Sequence, residues 1–85
     1  MSEEQVGVVV KFFSKPSVAA IQVTSGSIKK GDVLKYKGHT TDFTDVVGSI
    51  EIDNKAVDEA PSGSMVGIKV KARVRDGDKV YRVVD

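Results

Sequence analysis

Apolar side chains recur with a period of two along most of the chain, and six segments carry the pattern. Residues 6–13 (VGVVVKFF) are nearly all apolar, with Lys11 as the break, so both faces of a first strand are expected to be partly covered. Pro16, which has no backbone donor, marks a turn over residues 14–17. Residues 18–24 (VAAIQVT) form the second strand, and Gly26 suits a bulge or a positive backbone angle after it. Residues 33–37 (VLKYK) are the third. Residues 45–53 (DVVGSIEID) read as one half-buried fourth strand, because Ile50 and Ile52 alternate with Ser49, Glu51 and Asp53. A connection over residues 54–64 is rich in turn formers. Residues 65–74 (MVGIKVKARV) are the fifth strand, with Val66, Ile68, Val70, Ala72 and Val74 on one face. The pair Asp76-Gly77 favours a hairpin into the sixth strand, residues 79–84.

Six short strands with no convincing helix predict an all-β domain, a six-stranded β-barrel that is closed or nearly closed. Closure would remove the Val-rich edges that an open sheet exposes. Residues 1–5 (MSEEQ) are polar and are expected to be a flexible N-terminus, with residues 6–85 as the single barrel domain. Composition sharpens this: of 34 hydrophobic residues 16 are Val, five are Ile and only Leu34 is Leu, a bias toward side chains that fit pleated surfaces. Gly31, Gly63, Gly67 and Gly77 are read as backbone devices for turns or close strand approach.

The net charge of +1 is not the excess of a dedicated nucleic-acid binder, so any polyanion contact must come from local clustering. The absence of cysteine excludes disulfides, thiolate metal sites and a cysteine nucleophile, and a small unstapled domain suggests a reducing, cytoplasmic setting. No apolar run approaches the roughly 20 residues that span a membrane, and the acidic start is wrong for a signal peptide.

Residues 21–36 (IQVTSGSIKKGDVLKY) resemble the second domain of translational GTPases such as elongation factor Tu. That family carries a Gly before an apolar residue and then a Gly-Asp turn, here Gly26, Ile28, Gly31 and Asp32. Residues 46–70 resemble the family's later half at Ser49, Ile50, Val57, Glu59, Ala60, Gly63, Val66, Gly67 and Ile68, and Arg75, Gly77 and Asp78 resemble its last turn. The likeness runs from about Val6 to Val84. It implies a six-stranded antiparallel barrel which, in those factors, contacts tRNA or the ribosome beside neighbouring domains. Two departures stand out. No Gly-x-x-x-x-Gly-Lys-Ser/Thr loop is present, so no nucleotide is expected to bind. Ser64 replaces the acidic residue that often follows the Gly ahead of the fifth strand. Similar barrels also look like the C-terminal accessory domain of certain collagenase-like peptidases, so the module is not tied to translation.

Chemistry is sparse. GHTTDF (residues 38–43) holds the only histidine, His39, beside Thr40, Thr41 and Asp42. A catalytic arrangement needs a hydroxyl held by that ring and a third group to orient it, and adjacent residues usually point apart. A polar turn is the expected reading, with no enzyme activity and no cofactor. One histidine with scattered carboxylates also lacks metal-ligand spacing.

The strongest binding signal is KVKARVR (residues 69–75). In an extended strand Lys69, Lys71, Arg73 and Arg75 would lie along roughly 20 Å of one face, a match for a phosphate backbone. The competing reading is a solvated face neutralised by Glu51 and Asp53 across the ladder. His39, Thr41 and Phe43 join the row if the barrel brings their loop beside it. The expected role is a non-catalytic, translation-factor-like binding module. Its partner is RNA, either tRNA or ribosomal RNA, or a protein of the translation machinery, with no nucleotide and no membrane. The alternative is an accessory barrel docking on a larger enzyme or GTPase through an exposed apolar patch near Phe13 or Phe43.

Overall fold

Most of the alternating pattern becomes strand. The computed structural model describes residues 2–84, as β1 (Ser2–Phe13), β2 (Val18–Val23), β3 (Ser27–Lys29), β4 (Val33–Lys37), β5 (Asp42–Val46), β6 (Ile50–Ile52), β7 (Lys55–Val57), β8 (Glu59–Pro61), β9 (Met65–Lys69) and β10 (Lys79–Val84). Eight strands form one antiparallel sheet in the order β5-β4-β10-β1-β2-β9-β6-β7, and β3 pairs with β8 separately. The all-β, antiparallel expectation holds. The expectation of six strands closed into a barrel does not, because β5 and β7 remain the two edges of the large sheet and hydrogen bonding does not join them.

Each difference has a local cause. Residues 45–53 do not form one strand, because Val47 leaves the ladder. Its N–H donates to the Asp32 carbonyl, its own carbonyl accepts from Gly31 N–H, and its side chain enters the core. The connection over residues 54–64 contains β7 and β8. The β6–β7 hairpin turns on Asp53 and Asn54, both with left-handed φ (53° and 64°), the handedness that matches strand twist. Residues 2–5, which polarity places in a flexible terminus, belong to β1 and pair with β10 from Ser2↔Val84 to Gln5↔Tyr81.

Strand β1 is the hinge of the sheet. Its first half pairs with β10 and its second half with β2, from Gly7↔Val23 to Phe13↔Val18. The register shifts between Gln5 and Gly7 and again between Val9 and Lys11, and such bulges bend and twist a long strand. The two arms therefore curl around a common core, in which Ala19, Ile21 and Val23 of β2 are buried together with Leu34, Tyr36, Val66, Ile68 and Val80.

The predicted fifth strand ends early. Lys69 pairs with Val18, the first residue of β2, and the β6 ladder reaches only Ile68, so beyond Lys69 no strand is left to pair with. The Val70 N–H turns to the Ser17 carbonyl, and the Ser17 hydroxyl donates to the Val70 carbonyl at 2.7 Å. Residues 70–78 then run as an irregular strap over the core, with Val70 and Val74 buried and Ala72 exposed against its alternation. The strap is fastened at its far end, where Gly77 N–H donates to the Val9 carbonyl and Val9 N–H to the Asp78 carbonyl.

Candidate functional site

The loop around His39 is a tight turn between β4 and β5, closed by a 2.8 Å bond from Gly38 N–H to the Thr41 carbonyl. His39 is exposed, Thr41 is buried, and Phe43 stacks on Tyr36 with ring centroids 5.0 Å apart and planes 26° apart. Of the three loop residues singled out for contact, only His39 is freely presented to solvent. Among the described residues no three His, Cys, Asp or Glu side chains gather as metal ligands.

Tyr36 is a core residue. Burial, and behind it the Asp45 charge, pushes its hydroxyl well above the ordinary phenol range. The loop does meet the strap. A Cβ on Gly38 would fall 1.9 Å from Asp78 Oδ1, so Gly38 lies against this buried carboxylate. The other oxygen of Asp78 accepts the Arg75 N–H at 2.8 Å.

Lys69, Lys71, Arg73 and Arg75 are all exposed, but they do not form one straight row. Lys69 and Lys71 border a hollow with Asp45, Val46, Gly48 and Ser49, whereas Arg73 and Arg75 border another with Phe12, Val74 and Asp76. The competing reading, neutralisation by Glu51 and Asp53, finds no ion pair among the described residues. Glu51 lies across from Gly67, Asp53 sits in the β6–β7 turn, and among the described residues the ion pairs are Lys30–Asp58, Lys35–Glu3 and Arg82–Glu4.

A third surface combines Phe13 with residues that strand patterning had not drawn together. On the outer face the ladders align Lys11, Ala20, Gly67 and Glu51 in one row across β1, β2, β9 and β6. Ala20 and Gly67 are small, so the row dips. Phe13, Pro16 and Val18 stand on one side of the dip and Met65 on the other, with Glu51, Asp53 and Asn54 as its polar wall. The hollow measures about 420 Å³, and Phe13 and Met65 on its rim are 44% and 46% exposed. The Lys11 ammonium lies over the Phe13 ring, 5.2 Å from its centroid. The sequence does carry a trace of this surface. Val18, Ala20, Met65 and Gly67 are non-polar at outward positions, where a half-buried strand ordinarily places polar residues.

Over 78 residues, 91% of its length, the chain is 41% identical to an uncharacterized protease of Methanocaldococcus jannaschii and 36% identical to a collagenase of Porphyromonas gingivalis. It spans 19% and 22% of those two proteins, about a fifth of each.

Among solved structures it superimposes on the "C-terminal domain of Geobacillus thermoleovorans putative U32 peptidase" with a TM-score of 0.88 and 21% identity, covering 95% of this chain and 93% of that one. It also superimposes on GDP-bound aIF5B from Aeropyrum pernix with a TM-score of 0.68 and 19% identity, covering 98% of this chain and 14% of that one. At those identities the likeness establishes the fold. The model of elongation factor Tu domain 4 matches residues 3–82, in agreement with the translation-factor resemblance of the turns. The chain therefore belongs to the elongation factor Tu domain 4 family.

Proposed function

We propose that this chain is a non-catalytic accessory barrel that packs on the body of a larger, peptidase-like enzyme. The observation that carries the reading is the coverage of its relatives. Nearly the whole chain matches about a fifth of proteins named as a protease and a collagenase, at 41% and 36% identity. The exposed apolar hollow beside Phe13 and Met65 supports it, since contiguous apolar surface marks contact sites. So does the chemistry of the His39 loop, where Thr41 and Phe43 are occupied by packing.

The test is a graft. The chain replaces its matching segment in the Methanocaldococcus jannaschii protease, and hydroxyl-radical footprinting compares side-chain exposure in the graft and in the isolated chain. A docked barrel loses reactivity over one contiguous face. Equal reactivity at every residue would contradict docking.

A second reading keeps the strap as an RNA-contacting element, the role the translation-factor likeness implies. One observation favours it: Lys69, Lys71, Arg73 and Arg75 are exposed and enter no ion pair among the described residues.

A further inference from the structure

We propose that the hollow over β1, β2, β9 and β6 is the docking site of the barrel, and that its occupant is a segment of a partner polypeptide carrying an apolar side chain with a Lys or Arg beside it. This inference rests on the accessory-barrel reading and names the surface and the chemistry that reading needs.

Shape argues for the apolar part. The floor is Ala20 and Gly67, cross-strand neighbours whose small size opens room between Phe13 and Met65. Val18 and Pro16 extend the same wall, so an aliphatic side chain entering the dip meets carbon on three sides. The other exposed apolar pair, Val33 and Val46, lies directly cross-strand on β4 and β5.

Charge argues for the basic part. The ionisable groups lining the hollow are Glu51 and Asp53, both carboxylates, and neither enters an ion pair among the described residues. Glu51 stands next to the Gly67 floor in the ladder, and Asp53 is held by the hairpin turn at a left-handed φ. Two cations flank the hollow, Lys11 with its ammonium over the Phe13 ring and Lys69 cross-strand from Val18, and neither enters an ion pair with Glu51 or Asp53 among the described residues. A partner therefore meets two carboxylates at one end of the dip that enter no ion pair among the described residues, and a cation one residue from the buried apolar group pairs with them.

The test uses the intact chain, labelled with 15N, and two probes, N-acetyl-Leu-Arg-amide and N-acetyl-Leu-Glu-amide. Saturable shifts are expected at the amides of Ala20, Glu51, Met65 and Gly67, with the Leu-Arg probe binding about fivefold more tightly than Leu-Glu. Ala20→Leu fills the floor and should abolish the shifts. Glu51→Gln with Asp53→Asn should keep binding and erase the preference, while the spectra themselves report whether each variant is folded. No saturation up to roughly 10 mM, equal affinity for the two probes, shifts centred on another face, or binding that survives Ala20→Leu would each overturn the proposal. The probes act on the isolated barrel, so their failure removes this surface and leaves the grafted barrel to decide the accessory reading by itself.

Discussion

Gly38 has no space for a side chain, because a methyl group there would overlap the carboxylate of Asp78. Asp78 is 5% exposed and accepts the Arg75 N–H, so it cannot swing away without breaking the turn that fastens the strap. Gly38→Ala should destabilise the fold by about 1–3 kcal/mol in urea melts, and the penalty should shrink in an Asp78→Ala background, where the overlap is gone.

Tyr36 offers a second test at this scale. Its hydroxyl is held above the ordinary phenol pKa by burial and then by Asp45. Above about pH 10 the unfolded chain releases a phenol proton that the folded chain keeps, so this group lowers stability as pH rises, by up to about 1.4 kcal/mol per unit. Melts at about pH 9 and about pH 11 should show a smaller loss for Tyr36→Phe than for the native chain. The core position of Tyr36 agrees with the alternation of Leu34 and Tyr36 against Lys35 and Lys37. The burial of Thr41 was not, because it follows from the Gly38–Thr41 turn and not from any periodic pattern.

Strands were legible where a partner existed along their whole length. Residues 33–37 and 79–84 appear as expected because each faces the other across a full ladder. Periodicity failed at Val47 and beyond Lys69, where a buried valine satisfies its backbone by a bond to another element and the alternating pattern continues without a ladder.

The gap between the β5 edge and the start of the strap is bridged by one side chain. Asp45 Oδ1 accepts the Val46 N–H at 2.9 Å, and Asp45 Oδ2 accepts the Lys71 N–H at 3.0 Å. Asp45→Ala should cost about 0.5–1.5 kcal/mol and raise hydrogen exchange selectively at the Lys71 amide, with the β1–β10 amides unchanged. Unchanged exchange at Lys71 would show that the bridge does not hold the strap.

At the scale of the whole molecule, family membership was readable because Gly and Asp at turns mark where strands end, and Gly31, Gly63 and Gly77 do adopt positive φ. Closure was not readable, since whether two edges meet depends on twist and bulges, not on the number of apolar runs. The basic stripe was legible as a cluster of exposed cations but not as a shape, because its straightness depended on a strand that stops at Lys69.

Phe13 was a candidate contact from sequence. Its partner Met65 was not, because only the β1–β2–β9 register brings the two to one hollow. The measurement closest to the central claim is footprinting of the barrel grafted into the Methanocaldococcus jannaschii protease. Docking predicts a marked loss of reactivity at Phe13 and Met65 relative to the isolated chain, with Val46 unchanged. Full reactivity at every side chain of the grafted barrel would contradict it.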